Sequence, residues 1–178
     1  MKYICLLRGV NVGGNKKVPM SILKAFFLSS GFSKVSTILN TGTVVFQSEK
    51  EVNEIHFEVE KLLVKHFDFQ IPSLVFSAKE LMEFAENKKV KEQISSLDKK
   101  HKVLFTFAND LKPSEIKKLK ESNDLELIDS NQSILCICFS IDRGTPIIMK
   151  VLDEVLGKRG TSRNLNTVTK IVREIERV

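Results

Sequence analysis

One order of apolar periodicities occurs twice along this chain, and nothing else in the sequence limits the fold as much. In the first half, strand-like residues 3–7 precede Met20, Leu23, Phe26 and Phe27 at helical spacing, a helix that Pro19 opens and Gly31 closes. Strand-like residues 35–39 and 43–46 then flank the turn Asn40-Thr41-Gly42. A helix over 51–66 follows, with Val52, Ile55, Val59, Leu62 and Leu63 on one stripe. The second half repeats this with strands at 103–107, 125–128 and 133–139. Its helices fall at 113–120 and from Thr145 to the stop at Gly157. The first half alone adds a fourth strand at 72–76, then a helix opened by Ser77-Ala78-Lys79-Glu80, and a last helix begins near Thr167. Asn40-Thr41-Gly42-Thr43-Val44-Val45-Phe46 runs parallel to Asp129-Ser130-Asn131-Gln132-Ser133-Ile134-Leu135. The order β-α-β-β-α-β is that of the split βαβ unit. The expected fold is α+β: two ferredoxin-like subdomains in tandem, residues 1–98 and 99–178, the second with an extra C-terminal helix. The polar stretch 87–102 marks the boundary, and the two halves are expected to form one compact structural unit.

A chain of 178 residues suits one domain or two small halves, and its 42% hydrophobic content excludes wholesale disorder. Residues 3–7 are too short for a signal segment and end at Arg8. No run approaches the roughly 18 apolar residues that span a bilayer. A soluble cytoplasmic protein without a membrane partner is expected. Cys5, Cys136 and Cys138 form no C-x-x-C motif, and the C-x-C pair lacks the further ligands a tetrahedral zinc site needs. All three read as small buried hydrophobes, and neither a metal nor a cofactor is expected.

The net charge of +6 is unevenly placed. Residues 1–48 hold six bases (Lys2, Arg8, Lys16, Lys17, Lys24, Lys34) and no acid, and residues 158–173 hold five bases and no acid. The middle of the chain is acidic. Positive charge concentrated at the two ends favours an anionic partner there.

Two segments combine that charge with the right residue types. The first is Arg8-Gly9-Val10-Asn11-Val12-Gly13-Gly14-Asn15-Lys16-Lys17, between a strand and a helix. Glycines there let several N–H groups converge, and lysines add charge, an arrangement suited to phosphate or carboxylate. It is neither the P-loop, because Asn15 stands where the lysine belongs and no Ser or Thr follows, nor the G-x-G-x-x-G fingerprint. The second is Gly160-Thr161-Ser162-Arg163-Asn164-Leu165-Asn166-Thr167-Val168-Thr169-Lys170. Asn164 or Asn166 suits the N-cap of the last helix, whose free N–H groups beside Arg163 would accept an anion. Candidate ligand-binding residues are therefore Arg8, Asn11, Gly13, Gly14, Lys16, Lys17, Thr161, Arg163, Asn164, Asn166, Thr167 and Lys170.

Both segments, with Lys17-Val18-Pro19-Met20 and the stretch from Asn40 to Phe46, resemble the bacterial family known as domain of unknown function 1697. Its members typically read L-R-G-I-N-V-G-G, then S-G-N-V-V-F, then T-x-R-N-W-N-T-V-x-K-L. This chain has Thr43 for the Asn of the second motif and Leu165 for the Trp of the third. The first departure argues against ligand contact by a side chain at 43, and the second makes 165 a packing position. The resemblance implies a two-part α+β fold and no particular activity.

His56, His66 and His101 are not spaced as metal ligands or as a catalytic pair, and no G-x-S-x-G or H-E-x-x-H occurs. Catalytic residues are left unassigned. Three function classes remain. The first is a module binding a phosphorylated small molecule or nucleic acid, with the two basic segments forming one pocket. The second is a transferase or hydrolase acting on such a substrate, for which no general base is visible. The third is a structural or oligomerising protein, with the glycine loop as turn chemistry and Arg163 as an internal clamp. Base stacking in the manner of RNA-recognition modules is disfavoured, because residues 43–48 offer only Phe46. Oligomeric state is left open.

Overall fold

The structure is a computed structural model that describes residues 1–13, 16–67, 69–157 and 159–178. The chain divides into two compact units, Met1–Leu81 with Thr169–Val178, and Met82–Val168. Each is built around a four-stranded antiparallel sheet, and the expected α+β fold of two tandem halves is what is found.

The first unit runs β1 (Lys2–Leu7), α1 (Met20–Ser29), β2 (Ser33–Ile38), β3 (Thr43–Gln47), α2 (Val52–His66) and β4 (Ser73–Ser77). Its strands lie in the order β2-β3-β1-β4. Alternation in β1 sends Tyr3, Cys5 and Leu7 to the face that α1 and α2 cover, where they meet Leu23, Phe27, Ile55, Val59 and Leu63. Phe46 sits at the centre, with ring centroids 4.8 Å from Phe32, 5.2 Å from Phe27 and 5.9 Å from Tyr3. Burial of a side chain of this size contributes about 2–3 kcal/mol. Helix α2 starts where the Glu54 carboxylate accepts the Glu51 N–H at 3.2 Å, and it ends with Lys65 and His66 suiting the helix dipole.

Helix α3 (Ala78–Ala85) follows, and the polar stretch beyond it holds α4 (Lys88–Ser96). Asn87 caps α4 by accepting the N–H groups of Lys89 and Val90, and Val90 is its one buried side chain.

The second unit repeats the order with β5 (His101–Phe107), α5 (Pro113–Lys120), β6 (Glu126–Ser130), β7 (Ile134–Ser140), α6 (Thr145–Leu156) and β8 (Thr161–Asn164). Its sheet order, β6-β7-β5-β8, is that of the first unit. The fourth strand, expected only in the first half, is thus present in both. Thr161-Ser162-Arg163-Asn164 shows no apolar alternation of its own. Pairing with the buried β5 makes it a strand, in the register Phe107↔Thr161 to Leu104↔Asn164. The core gathers Leu104, Leu119, Leu135, Ile137, Ile148 and Leu152, and Gly157 ends α6 in the left-handed conformation at φ 59°. Helix α7 (Leu165–Arg177) closes the chain. No helix among the described residues is long and apolar enough to cross a membrane.

Candidate functional site

The glycine loop leaves β1 at Leu7, whose N–H donates to the Gly42 carbonyl at 2.8 Å, and the Arg8 N–H donates to the Pro72 carbonyl at 2.8 Å. Gly9, Asn11, Gly13 and Lys16 all hold positive φ, at 66°, 58°, 64° and 47°. For Asn11 and Lys16 that conformation is unfavourable and needs local bonds to sustain it. Asn11 supplies them. Its Oδ1 accepts the Val18 N–H at 2.8 Å while its Nδ2 donates to the Val18 carbonyl at 3.0 Å and to Asn40 Oδ1 at 3.1 Å. Its own N–H donates to the Lys16 carbonyl at 3.1 Å. Val10 and Val18 are buried beneath this neck, and Val12 stands 72% exposed at the tip.

The turn after β2 seats the loop. A Cβ on Gly42 would meet Val10 Cγ2 at 2.5 Å and Leu7 Cβ at 2.9 Å, and Gly42 holds φ at 66°. Only glycine fits there. Thr43 is fully buried and shares a 2.9 Å hydrogen bond with the Thr41 hydroxyl, so it faces the fold's interior. Asn40 and Gly42 were legible in the sequence only as a turn. Their part in fixing the loop depends on pairing across the sheet.

Lys16 and Lys17 are exposed on the loop. Lys16 Nζ donates to the Gln70 carbonyl at 3.3 Å and lies 5.8 Å from the Phe69 ring centroid. Arg8 is half-buried, Gly13 is exposed, and Gly14 lies outside the described residues. The loop so assembled presents a fixed backbone and a basic rim in the first unit.

The second basic segment is built differently. Arg163 is buried at 8% exposure, opposite Phe105 across the β5–β8 ladder, and its Nη1 donates to Thr161 Oγ1 and to the Ser162 carbonyl, both at 2.9 Å. Thr161 and Thr167 are buried too. Asn164 Oδ1 accepts the Thr167 N–H at 2.8 Å and so serves as the cap of α7. Asn166 is exposed and Lys170 half-buried, both on α7. Thr161 to Thr167 belong to the second unit; Lys170, like the glycine loop, belongs to the first.

The second unit also holds a cleft of about 230 Å³ lined by His101, Asp124, Glu126, Cys138 and Arg143 among others. His101 Nδ1 lies 2.7 Å from Asp98 Oδ1, an exposed contact that holds the Asp98 carboxyl below its usual range, and Arg143 pairs with Asp124 at 3.1 Å. Burial, then the nearby Glu126, pushes the Cys138 thiol up to about 11. Burial likewise pushes Cys136 up to about 12. Both thiols stay protonated at neutral pH and are poor nucleophiles. All three cysteines are buried and none forms a disulfide, and no group of three or more His, Cys, Asp or Glu among the described residues could hold a metal ion.

Comparison with known proteins bears on the fold and the family. The structure of the conserved bacterial protein SP0830 from Streptococcus pneumoniae superimposes with a TM-score of 0.75 at 24% identity, over 98% of each chain. That likeness shows the fold. No curated protein matches the chain. Residues 1–132 match the family described as protein of unknown function, DUF1697, a stretch that includes the glycine loop and the turn that seats it but ends before β8. The chain belongs to the DUF1697 family.

Proposed function

We propose that the protein is a binding module for an anionic ligand, a phosphorylated small molecule or a nucleic acid, which it engages through the glycine loop of its first unit. One observation carries this reading: the loop backbone holds positive φ at Gly9, Asn11, Gly13 and Lys16 while Lys16 and Lys17 stand exposed beside it. Left-handed residues alternating with extended or right-handed ones form a concave backbone whose N–H groups, apart from those of Arg8 and Asn11 that bond to Pro72 and Lys16, suit a phosphate or carboxylate. Asn11 is then a positioning residue, and Arg8, Gly13, Lys16 and Lys17 are the contacting ones. The absence of any acid in residues 1–48 adds long-range attraction.

A second reading, in which the loop is turn chemistry alone, is favoured by the bonds that the Asn11 amide makes within the loop and that Arg163 Nη1 makes within β8. One experiment separates the two. Thermal denaturation is followed with pyrophosphate, nucleoside phosphates and short oligonucleotides, for the wild type and for K16A/K17A. A ligand at 100 times its dissociation constant adds about 2.7 kcal/mol. The binding reading expects a stabilisation that weakens with salt and is lost in the double variant. A cooperatively melting protein that no anion shifts would sink it.

A further inference from the structure

Helix α2 has two faces of unlike character. Ile55, Val59 and Leu63 are buried in the core, whereas Phe57, Glu60, Lys61 and Val64 form an outer stripe at i, i+3, i+4 and i+7. Phe57 is 71% exposed and Val64 58%. Single exposed apolar side chains are ordinary. These two, however, line one groove of about 490 Å³, completed by Gln70, Ile71 and Pro72. Within that stripe the two charges are opposite in sign and lie between the two apolar residues. Glu60 Oε1 is 3.6 Å from His56 Nε2 on its own helix.

From this pattern we infer that the α2 face is a self-association surface, and that its occupant is the same face of a second copy of this chain. A two-fold axis passing between Glu60 and Lys61 sets the helices antiparallel. Each Phe57 then meets the partner's Val64, and each Glu60 meets the partner's Lys61. Both apolar contacts and both charge contacts form at once, which is the self-complementarity an isologous dimer requires. A parallel arrangement would set Glu60 on Glu60 and Lys61 on Lys61, and like charges in contact oppose it. The orientation is therefore selected by charge and held by Phe57 in the opposing groove. One helix face with its groove is smaller than a standard stable interface, on the order of 1,200–2,000 Å² in total. The dimer is accordingly weak and concentration-dependent.

Sedimentation of the full chain over a wide concentration range at low salt tests this. The wild type self-associates reversibly, and F57S sediments as a monomer. E60K and K61E each weaken association by about tenfold, since two attractive pairs become repulsive and a factor of ten corresponds to about 1.4 kcal/mol. Both positions are exposed, and circular dichroism verifies that the variants remain folded. The decisive arm is an equimolar mixture of E60K and K61E. One chain then carries two cations on the stripe and the other two carboxylates, and the mixture associates more tightly than either variant alone. A wild type that stays monomeric throughout overturns the inference. So does an association that the single variants leave unchanged, or a mixture no tighter than its components.

Discussion

The two units share a topology and differ at the same topological position, the connection from first strand to first helix. In the first unit that connection spans residues 8–19, is basic, and takes positive φ at four described positions. In the second it spans residues 108–112, takes positive φ only at Asp110, and is closed by Arg159. The Arg159 guanidinium donates to the Asn109 carbonyl at 2.7 Å and pairs with Glu115 on α5. One loop is rimmed by exposed lysines of its own, while the other is tied down by an arginine, Arg159, from the connection before β8. Strand order thus follows from where apolar residues fall, whereas loop chemistry is free to diverge once the sheet is set. An anion-binding reading consequently attaches to the first unit and has no counterpart at the matching loop of the second.

The cores sharpen the contrast most strongly. The ladder ends Leu6↔Thr43 and Phe107↔Ile134 make Phe46 and Ile137 equivalent, two places away from the match with Leu135 that sequence alone suggests. Both are fully buried, one within an aromatic cluster and the other among aliphatic side chains. Phe46→Ala is expected to cost about 3–5 kcal/mol and Ile137→Ala about 2–5 kcal/mol in urea denaturation. A cost below about 1 kcal/mol at either position would break the equivalence of the cores.

The turns come next. Gly42 meets Val10 and Leu7 too closely to carry a Cβ, whereas the matching turn in the second unit is held by Asn131, whose Oδ1 accepts the N–H groups of Ser133 and Ile134 at 2.8 and 2.7 Å. Gly42→Ala therefore combines overpacking with left-handed strain and should cost about 2–4 kcal/mol. Asn131→Ala loses hydrogen bonds alone and should cost about 1–2 kcal/mol. Equal costs for the two variants would show that the turns are interchangeable.

What the sequence made legible follows the same division. Helix α2 and the inner strands announce themselves because burial dictates their periodicity residue by residue. Strand β8 does not, since its conformation is imposed by β5 and by the close approach of Gly160, where a Cβ would lie 2.9 Å from Leu156 Cδ1. Helix α4 is equally hidden, its eight exposed or half-buried residues held by the Asn87 cap and the buried Val90. At the candidate site, glycines and lysines are visible in the chain, but the seating of Asn11 on Val18 and Asn40 is not. Arg163 reads as an anion ligand from its neighbours in sequence. Its burial beside Thr161 could come only from the pairing of β8.

The Arg159–Glu115 pair gives the closed loop a pH signature. Burial opposes ionisation of Glu115, yet the Lys112 N–H and the Arg159 guanidinium outweigh it and hold the carboxyl below its ordinary value. A depressed folded pKa contributes stability that is present above the unfolded value, near 4.3, and is lost as pH falls through the folded value. Arg159→Ala should cost about 0.5–1 kcal/mol at pH 7. The gap between variant and wild type should narrow below about pH 4, as Glu115 becomes protonated in both. A gap that persists unchanged in acid would assign the effect to packing of the arginine stem instead.

The smallest expected effect on stability decides the most about function. Lys16 and Lys17 are exposed, and their replacement by alanine should change unfolding free energy by no more than about 0.5 kcal/mol. Asn11→Ala should cost more, about 1–2 kcal/mol, because it removes the paired bonds to Val18 at a left-handed position. If the loop binds anions, both variants lose the salt-sensitive stabilisation that pyrophosphate gives the wild type, one by removing charge and the other by releasing the backbone. If the loop is only a turn, Asn11→Ala is destabilised and K16A/K17A behaves as wild type with every anion. Replacing Lys112, on the closed loop of the second unit, supplies the control. A response to pyrophosphate that depended on Lys112 as strongly as on Lys17 would erase the distinction between the two loops, and the binding reading would then lose its address.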